Sequence, residues 1–358
     1  MKKIDYYIIK KFLGTFFFAI SLIIIIVIIF DVSEKVDDFI EKKAPLTEII
    51  FVYYLNFIPY FVNLFSPLFT FIAVIFFTSK MAYNSEIVAI LSSGVSFKRL
   101  LRPYFLASLF LAIMSFILAN FIIPPANATR LEFEKRYLKN FRQFTDRNAH
   151  IQISEGTYIY MESFDNAKKI GYRFTLEKIN SNGLSYKLTA DQINWDSLKT
   201  SWHIINYTKR TFFGLKESYV TGKQIDTTLN LKPSDFSKQL DNLETMNYMQ
   251  IREFIKEEEL KGSDNIPFYE VEKHKRIAFP FATVVLTLIG VSLSSRKLRG
   301  GIGMHLGVGI TISFTFILFM QISTTFSTYS NLPSFIGVWI PNVIFTVLGL
   351  YLLKVAPK

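Results

Sequence analysis

Six stretches of this chain are long and apolar enough that water cannot be their solvent. They lie at about Phe12–Phe30, within Ile49–Thr78, and at Leu101–Ile123, Ile277–Leu293, Ile302–Phe326 and Phe335–Leu353. A run of about 18 or more residues with almost no charge can cross the hydrocarbon core of a bilayer. Inside that core every backbone amide and carbonyl must be satisfied within the chain, so each run is predicted to be a helix. Composition agrees. Half of the 358 residues are hydrophobic without counting glycine, a share that soluble chains (about 45–50%) reach only with glycine counted.

The first run follows Lys2, Lys3, Lys10 and Lys11 and ends at Asp31 with no small-residue cleavage site. A secretory signal core is shorter, about 7–15 residues, so this run reads as an uncleaved span. The second run is overlong and carries Asn56, Pro59, Asn63 and Pro67, which predicts a kink or an interfacial start. Pro124-Pro125 is expected to end the third.

Charge orients the spans, because basic residues gather in short cytoplasmic loops. Residues 1–11, the loop after the second span (Lys80, Glu86, Lys98, Arg99, Arg102) and the Ser295–Arg299 loop each carry +3, and the tail carries +2. With six spans these segments share one face and account for the whole formal charge of +11. The opposite face sums to zero, with Asp31–Glu48 at −3 and the large polar segment at about +3. The basicity is a topology signal and not a sign of nucleic-acid binding. Both termini are expected in the cytoplasm and the large segment outside.

That segment, residues 126–272, separates spans 1–3 (residues 1–125) from spans 4–6 (273–358). Residues 128–148 read as a helical or mixed lead-in. From His150 to about Leu231 side chains alternate with a period of two, as in Ile151/Ile153, Tyr158/Tyr160, Phe174/Leu176 and Leu184/Tyr186/Leu188. Asn180–Gly183 is a turn signal, and Asp196-Ser197 divides Trp195 from a strand near Trp202–Tyr207. Short strands at this spacing predict a sandwich, jelly roll or barrel. After Pro233-Ser234-Asp235, Met249, Ile251, Phe254 and Ile255 make a helical stripe that Thr245 or Asn247 caps and Lys261-Gly262 ends.

Catalytic signatures are missing. There are no cysteines, which removes thiol chemistry and Cys-ligated metals. No phosphate-binding G-x-x-x-x-G-K-[ST] or H-E-x-x-H occurs, and the four histidines are scattered. The glycines Gly300, Gly301, Gly303, Gly307 and Gly309 open the fifth span, where small residues favour close helix packing. The spans hold almost no charge, so an ion or proton relay is disfavoured and a large apolar substrate suits their walls better. We expect no catalytic residue, no metal and no cofactor on this chain.

Two segments stand out. In the loop after the second span, Ser85 is placed to cap a short helix starting at Glu86, with Ile87, Val88, Ile90 and Leu91 on its apolar face and Gly94 ending it. Such a helix either docks into a groove of a soluble partner or rests on the membrane surface. At the outer end of span 1, Lys35 sits among Asp31, Glu34, Asp37 and Asp38. It is either part of a solvated loop or positioned to meet an anionic head group.

In order and spacing, several segments together resemble the LptF/LptG family of lipopolysaccharide export permeases. They are Asp5–Phe12, Asn84–Gly94, Tyr269–Arg276 with Pro280, Arg299–Gly301, Leu332-Pro333, and Trp339–Asn342 with Tyr351–Leu353. The Asn84–Gly94 segment leans toward the LptG type. The resemblance implies a membrane α-helical fold of three plus three spans around a periplasmic β-jellyroll, in the bacterial inner membrane. It also implies a heterodimer with a second permease of the family, driven by an ABC-type ATPase dimer that uses the ATP. Lipopolysaccharide would pass to a periplasmic jellyroll bridge, with a single-span bridging subunit as a further partner. Glu86 matches the acidic residue of the family's coupling helix, with Ser85, Ile87, Ile90 and Gly94 around it. A lateral gate would involve spans 1 and 5, making Lys35, Phe30, Gly307 and Phe314 candidate lipid contacts. Two rival readings are a membrane-anchored scaffold or sensor that binds partners through its β domain, and an intramembrane lipid enzyme, which lacks the converging acid and histidine groups it would need.

Overall fold

The computed structural model describes residues 3–138, 147–165, 168–181, 183–197, 199–214, 216–229, 231–233, 243–263, 265–296, 301–330 and 332–356. Two compact units result. One comprises Met1–Lys139, Glu244–Met249 and Pro267–Lys358; the other comprises Asn140–Leu243 and Gln250–Ile266.

The first unit is helical. Its elements begin with α1 (Lys3–Glu41), α2 (Leu46–Tyr83), the short α3 (Glu86–Ser92) and α4 (Phe97–Tyr137). After the connecting helix α5 (Tyr248–Lys261), most of which belongs to the second unit, come α6 (Ile266–Ser294), α7 (Gly301–Tyr329) and α8 (Ser334–Val355). Six of these, α1, α2, α4, α6, α7 and α8, are long and apolar enough to span a bilayer.

Helix α2 is the shared support. Ile8, Phe12, Phe16 and Ile20 recur every fourth residue and form the buried stripe of α1. They pack with Ala73, Val74, Phe77 and Met81 of α2 and Leu100, Tyr104, Ala107 and Leu111 of α4. From another face of α2, Phe71 and Ile75 join a second core with Leu286 and Ile289 of α6, Phe316 of α7 and Phe345 of α8.

Small residues set two of the helix crossings, as expected where lipid removes the hydrophobic drive. A Cβ on Gly309 of α7 would lie 2.2 Å from Ile75 Cδ1. On Gly337 of α8 it would lie 1.7 Å from Ser327 Oγ and 3.0 Å from the Ser323 carbonyl oxygen of α7. Ser323 Oγ donates to the Gly337 carbonyl at 2.5 Å. Among the described glycines at the start of α7, close packing is confined to Gly309, since Gly301, Gly303 and Gly307 face open space; Gly300 lies outside the described residues. In the apolar windows of α1 and α7 only 22% of residues are buried, against 67% in α6. These two helices turn rows of Phe, Ile and Leu outward.

Two helices run past their predicted ends. Helix α1 continues beyond Phe30 because Asp31 and Lys35, four residues apart, pair on its inner face at 2.6 Å. Helix α4 continues beyond Pro124-Pro125, which the sequence suggested would stop it. Residues Leu118–Ile122 wind as a π-helix, and the two prolines open the next α-helical segment, Ile123–Tyr137. First-turn positions need no amide donor, so proline is accepted there. A second π stretch, Ile49–Tyr54, lies at the start of α2, while Pro59 and Pro67 sit inside the α-helical segment that follows.

The second unit carries six strands: β1 (Arg147–Ser154), β2 (Thr157–Asp165), β3 (Ile170–Asn180), β4 (Gly183–Asp196), β5 (Ser201–Phe213) and β6 (Lys216–Thr227). They form one antiparallel sheet in chain order. Each pairing among the described residues joins consecutive strands, so the inserted β domain is an up-and-down sheet. One face is apolar with period two: Ile159 and Met161, Phe174 and Leu176, Leu188 and Ala190, Trp202 and Ile204. Trp195 and Trp202 pair across a hairpin, and the Trp202 indole donates to the Leu231 carbonyl at 2.9 Å. Strand β6 is largely exposed, including Tyr219 and Val220. Helix α5 ends as predicted at Gly262 (φ 70°), where Ser263 N–H bonds the Glu258 carbonyl at 3.0 Å and Gly262 N–H that of Glu259 at 3.1 Å. This is a Schellman closure.

Candidate functional site

The short helix expected after the second span exists as α3, and its construction differs from the sequence reading at one point. Ser85 does not cap it. Its backbone is left-handed (φ 61°) and its side chain makes no cap bond. The tight turn from α2 into α3 leaves no room for the extended conformation that a serine cap needs. Glu86 is held instead by two other donors. The Tyr7 hydroxyl reaches Oε2 at 3.2 Å, and the Asn84 amide reaches Oε1 at 3.3 Å. Gly94 ends the helix at φ 84°, with its N–H on the Leu91 carbonyl at 3.0 Å.

Ile87 is the anchor of α3. It is 1% exposed in the core of α1, α2 and α4, and Ile90 and Leu91 lean on the same core. The apolar face expected of a docking helix is therefore mostly turned inward. The outward surface consists of Tyr83, Asn84, Ser85, Val88, Ala89 and the Ser92–Gly94 end, with Glu86 half-buried beside it.

A second clamp lies beside α3 and was not read from the sequence. Arg99, in the first turn of α4, places its two terminal nitrogens on the two carboxylate oxygens of Asp5, both at 2.7 Å. Asp5 is 6% exposed. The start of α1 is thus tied to α3 through Tyr7 and to the segment just after α3 through Asp5. The available signal was a single acid inside an otherwise basic N-terminal arm, but its partner lies 94 residues away.

At the other end of α1, Lys35 is tied to neighbours on α1 and α2. Its ammonium bonds Asp31 at 2.6 Å and the Tyr53 hydroxyl. Tyr54 donates to the other Asp31 oxygen at 3.1 Å. Phe39, Tyr53, Tyr54, Phe57 and Phe133 pack into one cluster around this group. The lysine is part-buried and already charge-compensated. Phe30 (72% exposed) and Phe314 (55% exposed) face outward on α1 and α7, and Gly307 borders open space. Within this chain α1 packs on α2 and α4, and α7 on α2 and α8. Phe30 belongs to the first of these arrangements and Gly307 and Phe314 to the second.

Among the described residues no group of three or more His, Asp or Glu is placed to hold a metal ion. Six helices long and apolar enough to cross a membrane, divided three and three by a β domain and with an anchored short helix between the second and third, define a multi-pass membrane protein. The family model for the lipopolysaccharide export system permease LptF/LptG matches residues 6–355, and the chain belongs to that family. A search of curated proteins found no individual match.

Proposed function

We propose that this chain is one of two permease subunits of an ATP-driven exporter in the bacterial inner membrane, with its termini and α3 in the cytoplasm and its β domain in the periplasm. Family membership supports lipopolysaccharide as the cargo. The charge asymmetry of the loops supports the orientation.

The observation that carries the coupling role is the anchoring of α3. Ile87 fixes it to the core while Glu86 keeps a carboxylate at the outer edge. A helix fixed on one side and polar on the other transmits a push from a partner without folding away. The partner is an ABC-type ATPase dimer, which binds and hydrolyses the ATP; this chain does no covalent chemistry. Closure of the dimer moves α3 as a lever. The outward apolar rows of α1 and α7 form, with a second permease, the walls from which acyl chains are squeezed. The cargo then passes along the apolar face of the β sheet. The open edge of β6 offers backbone groups to which the next β domain of the bridge, including that of a single-span bridging subunit, adds a strand.

The test is Glu86→Lys in the full complex. The variant should insert and keep its fold, since the side chain stands at the edge, while ATPase-driven lipopolysaccharide export fails. Normal export would sink the coupling role. Recovery of the wild-type chain from mild detergent with no ATPase and no second permease would favour a scaffold role for the β domain.

A further inference from the structure

A groove of about 460 Å³ runs between α4 and α6, away from the α1 and α7 faces assigned to the cargo. Its walls are apolar, with Leu101, Phe105 and Leu106 on one side and Phe281, Val284 and Leu288 on the other. The hydroxyls that border it have partners already. Tyr104 and Thr78 bond each other, and Ser108, Thr287 and Thr346 each donate to a carbonyl one turn back. The groove therefore makes no polar demand along its length.

One end differs. Lys98 and Arg102 line it there, four residues apart and so on one face of α4. Arg99, between them, is occupied by Asp5. Neither Lys98 nor Arg102 is bridged to an acid among the described residues, and both are exposed. The lining runs from Lys98 to Ser108 on α4 and from Val291 back to Phe281 on α6. At 1.5 Å per residue either stretch is about 15 Å long, half of a hydrocarbon core of about 30 Å. The groove is as deep as one leaflet, with two cations at head-group level. Basic pockets between spans on the cytoplasmic side suit anionic head groups.

We propose that this groove holds one anionic phospholipid of the cytoplasmic leaflet, its phosphate between Lys98 and Arg102 and its acyl chains against Phe281, Val284 and Leu288. The site goes beyond export and rests only on the membrane orientation. It is tested by native mass spectrometry of the full chain, with whatever subunits accompany it, titrated with phosphatidylglycerol or phosphatidylcholine. Wild-type protein should retain phosphatidylglycerol preferentially. Lys98→Ala with Arg102→Ala should weaken that binding roughly 30-fold at low salt, a factor of about 5 per cation, and leave phosphatidylcholine unchanged. Lys98→Arg with Arg102→Lys should preserve it, and Val284→Trp, which fills the groove, should weaken both lipids. Equal binding of the two lipids by wild-type protein, or full retention by the double alanine variant, overturns the proposal.

A competing occupant is a helix of another subunit. The chain has no cysteine, so Val284→Cys gives a single reporter. Labelling by a membrane-dissolved maleimide supports the lipid, and cross-linking to a second protein overturns it. Glu86→Lys, expected to stop export, should leave phosphatidylglycerol binding intact, so the two readings fail separately.

Discussion

Replacing Gly337 by alanine tests whether the α7–α8 crossing is set by the absence of a side chain. The added Cβ would stand 1.7 Å from Ser327 Oγ and 3.0 Å from the Ser323 carbonyl oxygen. The buried hydroxyl is forced out of its rotamer at a cost, and the backbone carbonyl cannot turn away, so α8 must move outward. That movement breaks the 2.5 Å bond from Ser323 Oγ to the Gly337 carbonyl. Overpacking costs about 1–3 kcal/mol and the lost bond about 1 kcal/mol. The better helix propensity of alanine returns about 1 kcal/mol. The net loss is about 1–3 kcal/mol, read as a lower midpoint when the detergent-solubilised chain is unfolded by added dodecyl sulfate. Adding Ser327→Ala should recover part of it, because one of the two obstructions is then smaller. Gly307→Ala is the control. It meets nothing within 4 Å and should raise the midpoint by about 0.5–1 kcal/mol. Lost export in that stabler variant would then mark Gly307 as part of the cargo path. An unchanged midpoint for Gly337→Ala, or no recovery on adding Ser327→Ala, refutes the reasoning.

Two further outcomes follow from the ion pairs. Arg99→Lys keeps the charge but cannot grip both oxygens of Asp5, so export should fall roughly tenfold, the equivalent of one charge-assisted hydrogen bond, while the ATPase still co-purifies; wild-type rates in that variant would refute a mechanical role for the clamp. In the β domain, hydrogen bonds to Asp226 and, at 3.4 Å, to Asp196 hold the His203 imidazolium above its usual value of 6.5. Because the native value is raised, this tie is fully present below pH 6.5 and is lost as pH rises through the raised value. Amide exchange in β5 and β6 should therefore speed up at alkaline pH beyond its intrinsic trend, and His203→Gln should remove that excess.

The features that were legible in the sequence are those set by near neighbours. Spans were visible as uncharged runs, and strands as alternation around Phe174 and Leu188. The end of α5 was visible in Gly262. What escaped was decided by distant partners. The residues after Phe30 look like a solvated acidic loop until Tyr53 and Tyr54 arrive from α2 to receive Asp31. Ser85 has the chemistry of a cap, but the turn that returns α3 to Ile87's pocket fixes its backbone first. Arg99 counted only as one more cation for the topology, since nothing local shows that Asp5 will meet it. Pro124-Pro125 is a stop signal for an α-helix and an acceptable start after a π turn, and periodicity does not distinguish the two.

That π turn also aims what lies beyond it. An α-helix advances about 100° per residue, and a π turn holds one residue more than the α turn it replaces. Everything after Leu118–Ile122 is thereby swung about 100° from where an uninterrupted α4 would carry it. Asn127 and Arg130 meet Glu244, and Phe133 enters the aromatic cluster around Tyr53, only in the swung position. Deleting one residue within Leu118–Ile122 would restore a plain helix and turn all three away together. The outer arm of α4 is thus pointed by a count of residues, in the way a screw thread is set by its starting angle, and needs no joint to hold its direction.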